Sequence, residues 1–105
     1  MKTEFTSIND LKKNITEGQP LYLENYINPS RSRVTRVKRK QSYFFTVENA
    51  DGKESWVING ATEASKYGFN FNGDKVDIFT KHNNMPFVSL YFNATIIKGK
   101  SNLTN

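Results

Sequence analysis

Hydrophobic residues recur at helical spacing close to the N-terminus. Ile8, Leu11 and Ile15 stand three and four residues apart, which places them on one face of an α-helix. The segment SIND, residues 7–10, resembles a capping box with Asp in place of the usual Glu. The pattern predicts one short helix that begins at Ile8 and ends before the EGQP segment, residues 17–20.

Strand-like patterns begin after this helix. Leu21 and Leu23 alternate with less apolar neighbours, and the NPS segment, residues 28–30, is typical of a turn. Residues 34–47 are dense in β-branched and aromatic side chains and predict a strand. Val34 and Val37 are three residues apart rather than two, which is compatible with a β-bulge between them.

Two turn signals predict β-hairpins. The NADG segment, residues 49–52, precedes the strand-like run SWVI, residues 55–58. In YGFNFNGDKVDIF, residues 67–79, Asn-Gly suits a type I′ turn. A two-residue loop at that point pairs Phe69 with Val76 and Tyr67 with Ile78, and places these four side chains on one face.

These elements predict the fold class. Residues 82–86 are typical of a loop, residues 87–97 alternate well enough for a closing strand, and residues 98–105 are expected to form a flexible tail. Five or six short antiparallel strands and one N-terminal helix predict a single mainly-β domain over residues 1–97. We expect a small, closed or partly open SH3-like barrel, since no helix signal separates the middle strands, with an OB-like barrel as the alternative.

The charge of the chain is concentrated in one predicted strand. All arginines fall within RSRVTRVKRK, residues 31–40, which contains six basic side chains and no acid. The chain has a net charge of +5, but outside this segment nine basic residues face ten acidic ones, a net charge of −1. Such local basicity is typical of proteins with a polyanionic partner. The candidate binding residues are Arg31, Arg33, Arg36, Lys38, Arg39 and Lys40.

The geometry of the strand decides which of these basic side chains share a face of the sheet. Regular alternation sends Arg36, Lys38 and Lys40 to one face and the remaining arginines largely to the other. A bulge between Val34 and Val37 would gather the basic side chains into one continuous stripe. The charges could instead serve only to prevent aggregation at an edge strand. Four arginines exceed that need, however, and a guanidinium can grip a phosphate with two hydrogen bonds and stack on bases.

Aromatic residues follow the basic segment directly. Tyr43 and Phe45 share one side of a strand, Phe44 takes the other, and Trp56 lies across the hairpin. Proteins that bind single-stranded nucleic acid combine a basic groove with such aromatic platforms. We expect Phe44, Phe45 and Trp56 to be core residues and Tyr43 to be the candidate stacking residue.

The sequence contains no motif that indicates a catalytic or metal centre. His82 is the only histidine and falls in an expected surface loop, and Asp74 and Asp77 stand at an odd spacing that points them to opposite faces of a strand. Phosphate-loop, zinc, calcium and nucleophile-elbow motifs are absent, as is cysteine. We therefore expect no enzymatic activity and no metal or cofactor.

With no signal-peptide-like or membrane-spanning run, the expected location is the cytoplasm.

The stretch RVTRVKRKQSYFFTVENADGKESWVING combines a basic strand, an aromatic strand, a D-G-K turn and S-W. In this order it resembles small SH3-like accessory proteins of phages and prophages of low-GC Gram-positive bacteria, over residues 33–79. The resemblance implies a phage setting inside a bacterial host cell and no particular reaction.

Two functional hypotheses follow from these observations. The first is a nucleic-acid-binding module, for DNA or RNA, that uses the basic residues above and Tyr43. The second is a phage-encoded inhibitor that presents the same surface to an acidic or nucleic-acid-binding groove of a host defence protein or nuclease. A structural component of a virion is a weaker third alternative.

Overall fold

The computed structural model describes residues 1–41, 44–48, 54–58 and 66–104, and gives the backbone alone for 39–41, 44–48, 54–58 and 101–104. The helices are α1 (Ile8–Asn14), α2 (Ala94–Thr104) and a short 3-10 helix (Pro29–Arg31). The strands are β1 (Pro20–Asn25), β2 (Arg33–Gln41), β3 (Phe44–Glu48), β4 (Glu54–Ile58), β5 (Tyr67–Asn72), β6 (Lys75–Thr80) and β7 (Pro86–Tyr91). All pairs are antiparallel, in one sheet of order β4-β3-β2-β1-β7-β6-β5.

The mainly-β, barrel-like class is confirmed, and the sheet is open. Among the described residues β4 and β5 are the outermost strands and pair with no further strand. The described residues form seven strands instead of the predicted five or six, because the run at residues 34–47 divides into β2 and β3, which pair with each other. The predicted pairing of residues 55–58 with the strand before them is present as β3 and β4.

Helix α1 begins where its sequence predicts. The Ser7 hydroxyl accepts a hydrogen bond from the Asp10 backbone N–H at 3.1 Å, which satisfies one of the donors left open by the first turn. The Asp10 carboxylate accepts hydrogen bonds from Lys2 Nζ at 2.7 Å, the Thr6 backbone N–H at 2.9 Å and Asn14 Nδ2 at 2.7 Å. These bonds, the one from Lys2 foremost, hold the pKa of Asp10 well below its usual range.

The hydrophobic core lies on one face of the sheet, beneath α1 and the N-terminal segment. Phe5 is buried and meets Phe92 edge to face, with ring centroids 5.2 Å apart. The Gln19 side chain, also buried, donates from Nε2 to the Lys2 carbonyl at 2.7 Å and so fastens this segment. The core contains Phe5, Leu11, Ile15, Leu21, Leu23, Val37, Val76, Ile78, Val88, Leu90 and Phe92.

The β5–β6 hairpin forms with a turn one residue later than predicted. Asn72 pairs with Lys75, so the two-residue loop is Gly73-Asp74 rather than Asn72-Gly73. Gly73 has φ +64°, and a positive φ at the first loop position is typical of a type II′ turn. Each partner therefore shifts by two residues, and Phe69 faces Ile78.

The C-terminal prediction is wrong in two respects. β7 ends at Tyr91, and a helix from Ala94 to Thr104 takes the place of the end of the strand predicted for residues 87–97. The same helix takes the place of the flexible tail predicted for residues 98–105, as far as Thr104. The physical cause is Asn93, whose Oδ1 accepts hydrogen bonds from the backbone N–H groups of Thr95 at 2.9 Å and Ile96 at 3.2 Å. These bonds satisfy the open donors of a helix start.

Candidate nucleic-acid interface

The basic strand β2 alternates regularly through Val34 and Val37. It pairs with β1 in one unbroken register, in which Val34 faces Tyr22 and Arg36 faces Pro20. The bulge considered between Val34 and Val37 is therefore absent. The β2–β3 register shifts instead between Arg39 and Gln41. Val37 and Thr35 point to the core, while Val34, Arg36 and Lys38 share the opposite face, called the polar face below.

Arg36 presents an exposed guanidinium whose position is fixed by the neighbouring turn. Its Nη1 donates a hydrogen bond to the Gly18 carbonyl at 2.9 Å. Gly18, with φ +85°, donates its own N–H to the Val37 carbonyl at 2.8 Å. Both the N–H and the carbonyl of Gly18 are thus hydrogen-bonded to β2. This bond engages one of the five donors that a guanidinium carries. Lys38 follows on the same face, half-buried.

Arg31 and Arg33 are not part of this group. Arg31 ends the 3-10 helix and is exposed, whereas Arg33 faces Leu23 of β1 and so belongs to the core side of the sheet at its end. The Arg33 Nη1 atom donates to the Arg31 carbonyl. Because β2 has no bulge that would turn Arg33 outward, the six basic residues do not form the continuous stripe.

Of the remaining predicted residues, Arg39, Lys40 and Trp56 are described by their backbone alone. Arg39 and Lys40 belong to β2 by their backbone, and Arg39 faces Phe45 in the register. The backbone of Trp56 is in β4. Tyr43 lies outside the described residues, so its role as a stacking residue stays a prediction.

Helix α2 brings a cation to the polar face that the sequence reasoning missed. The Lys100 Nζ atom lies 5.2 Å from the ring centroid of Tyr22, which is buried on the same side of the sheet as Arg36. Arg36, Lys38 and Lys100 together are called the basic face below. Because residues 98–105 were expected to be a flexible tail, only the Asn93 capping signal could have placed Lys100 in an ordered element.

A chain of hydroxyl and carboxylate groups lies further along the polar face. Glu24 Oε1 accepts hydrogen bonds from the hydroxyls of Tyr26 and Tyr91, both at 2.8 Å. The Tyr26 hydroxyl lies 2.8 Å from Ser89 Oγ, which donates to Asp77 Oδ1 at 2.5 Å. Burial, and then the hydrogen bond to Glu24, raise the pKa of the Tyr91 phenol above its usual value. None of these groups was predicted as functional.

No family model, curated protein or solved structure matches the chain. In the described part of the chain no helix is long and apolar enough to cross a membrane. The same residues contain no group of three or more potential metal-ligating side chains.

Proposed function

We propose that the protein is a non-enzymatic binding module that takes nucleic acid on its basic face. The observation that carries the proposal is Arg36, an exposed guanidinium fixed by its hydrogen bond to Gly18 on a strand that also carries Lys38. A guanidinium held in place loses less side-chain entropy when it binds, and its planar fork fits phosphate oxygens.

Lys100 extends this positive surface from a second element. Its position over the Tyr22 ring links α2 to the sheet side that carries Arg36. Phosphate contacts by such side chains fix a nucleic acid in place without reading its sequence. We therefore expect binding that is strongly salt-dependent and only weakly sequence-specific.

The direct test removes two charges of the basic face and compares the loss with a matched control. The test variant is Arg36→Ala with Lys38→Ala, and the control is Lys13→Ala with Lys66→Ala, which removes the same charge at exposed positions elsewhere. Labelled duplex and single-stranded oligonucleotides would be titrated by fluorescence anisotropy, and circular dichroism would check that each variant is folded.

The expected difference is large. At 0.1 M salt each phosphate contact is worth roughly eightfold in affinity for duplex DNA, so the test variant should bind roughly 60-fold more weakly. The control should retain nearly all of the wild-type affinity. Equal losses in the two variants would show that net charge alone attracts the oligonucleotide. Absence of binding by the wild type would direct the search to an acidic protein partner, the second sequence-based hypothesis.

A further inference from the structure

A cleft of about 460 Å³ opens beside the hydroxyl and carboxylate chain of the polar face. Its polar lining includes Tyr26, Asn70 and Asp77, and its apolar lining includes Phe79 and Pro86. Clefts of this size that combine apolar walls with a few converging polar groups are the usual form of ligand sites.

The polar groups of the cleft are held in place before any ligand arrives. Ser89 is fully buried and donates to Asp77 Oδ1 at 2.5 Å, and Lys75 Nζ lies 3.4 Å from the same oxygen. Lys75 also lies 5.3 Å from the ring centroid of Tyr91, which fixes its position from a second side. The carboxylate is therefore an oriented acceptor whose charge is partly offset by a neighbouring ammonium group.

Hydrogen bonds also hold the rim of the cleft in place. It includes Asn84 of the β6–β7 loop, which adopts a left-handed backbone with φ 54°. The loop is closed by a hydrogen bond from the Thr80 N–H to the Met85 carbonyl at 2.9 Å, and Asn83 Oδ1 accepts from the Met85 N–H at 3.2 Å. On the other side, the Tyr26 N–H donates to the Phe87 carbonyl at 3.0 Å.

We propose that this cleft takes one unpaired nucleobase that carries an exocyclic amino group, from a strand whose phosphates lie on the basic face. This inference rests on the proposed function. Phe79 and Pro86 offer apolar surfaces to a flat ring, and single-stranded nucleic acids are bound by stacking on such surfaces. The Asp77 carboxylate accepts hydrogen bonds and donates none, so it favours the amino group of cytosine over the carbonyl of thymine at the same ring position.

The cleft and the basic face lie on the same side of the sheet, so one strand of nucleic acid that passes beside α2 can contact both. Asp77 faces Ser89, and Ser89 faces Glu24, which is two residues from Tyr22 on the polar face. β2, which carries Arg36, is three strands away from β6, which carries Asp77, and Arg36 lies four residues from the level of Asp77 along the strand direction. The two residues are therefore about 20 Å apart across the sheet surface. A single-stranded site of several nucleotides, within the ordinary range, covers this distance.

The test compares labelled oligo-dC and oligo-dT of about 12 nucleotides, since both have the same phosphate backbone. Wild-type protein should bind oligo-dC more tightly, by roughly 5- to 150-fold. Asp77→Asn, which adds a donor for the thymine carbonyl, should abolish or reverse this preference. Asn70→Ala changes an exposed residue of β5 that lines the cleft and should reduce the preference even if Asp77→Asn fails to fold. Asn9→Ala, an exposed position on α1, is the control and should leave the preference unchanged.

The outcomes separate the two proposals. If both oligonucleotides bind equally, and Arg36→Ala with Lys38→Ala weakens both, the cleft proposal is overturned and the proposed function stands. If neither oligonucleotide binds, the cleft proposal is overturned, and the proposed function is overturned as well if duplex DNA also fails to bind. A dC preference that persists unchanged in Asn70→Ala and in folded Asp77→Asn also overturns the cleft assignment.

Discussion

The ring of Phe79 lies directly over Gly68, its partner across β5 and β6. A Cβ at Gly68 would be 2.2 Å from Cζ of that ring, a distance that real Cβ atoms essentially never show. The missing side chain of Gly68 thus leaves room for the Phe79 ring, which forms one wall of the cleft.

Gly68→Ala should therefore overpack this contact and lower the free energy of unfolding by about 1–3 kcal/mol. The matched control is Gly99→Ala in α2, where a Cβ would meet nothing within 4 Å. Because alanine is the better helix former, the control should raise stability by about 0.5–1 kcal/mol. Urea denaturation measures both changes, and a Gly68→Ala protein as stable as the wild type would show that the ring is free to move aside.

Thr35 offers a second test of the packing of β2. It faces Leu21 in the register and is only 4% exposed, and its Oγ1 has no hydrogen-bond partner among the described residues. Replacing a buried hydroxyl of this kind by a methyl group removes a desolvation cost, so Thr35→Val should stabilise the fold by about 1 kcal/mol.

The control for this change is Thr16→Val at an exposed position, which should alter stability by less than about 0.5 kcal/mol. Thermal denaturation of the two variants gives the comparison. A clear loss of stability in Thr35→Val would mean that the hydroxyl makes an interaction in the native protein.

The lowered pKa of Asp10 predicts that the stability of the fold depends on pH in the acidic range. Its pKa is lower in the folded protein than in the unfolded chain, so its contribution is complete at pH values above the unfolded pKa of about 3.9. That contribution is lost as the pH falls through the folded pKa, when the bond from Lys2 loses its anionic acceptor. Asp10→Asn should thus be less stable than the wild type at neutral pH, and the gap should narrow in acid.

Denaturant titrations between neutral and strongly acidic pH measure this gap. Glu17→Gln removes an exposed carboxylate just beyond α1 and serves as the control. If the stability difference between Asp10→Asn and the wild type stayed constant across the series, the carboxylate bonds to Lys2 and Thr6 would not explain the effect.

Short-range signals in the sequence were sufficient to predict where α1 begins. A comparable signal for α2 was overlooked. The Ser7 and Asp10 spacing predicts the hydrogen bond that starts α1, and the structure confirms it. Asn93 provides a comparable signal for α2, but the alternation of Val88, Leu90 and Phe92 led to a strand prediction that ran past it. A local periodicity cannot show where a strand loses its partner, because β7 pairs with residues far away in the chain.

The pairing partners of the strand residues were harder to predict than the side of the sheet on which each side chain lies. Moving the turn of the β5–β6 hairpin by one residue changes every partner by two, so Phe69, Val76 and Ile78 remain on one side in either register. The hydrophobic pattern therefore could not choose between the two turns. In β2 the same pattern could not exclude a bulge at Val34, because regularity there depends on pairing with β1.

The most direct measurement is the salt dependence of oligonucleotide affinity for the wild-type protein. If Arg36, Lys38 and Lys100 each neutralise one phosphate, the slope of log affinity against log salt should be about −2.7 for duplex DNA and about −2.1 for a single strand. In the Arg36→Ala, Lys38→Ala variant the duplex slope should become shallower by about 1.8. A wild-type slope near zero, or one that the variant leaves unchanged, would contradict nucleic-acid binding by the basic face.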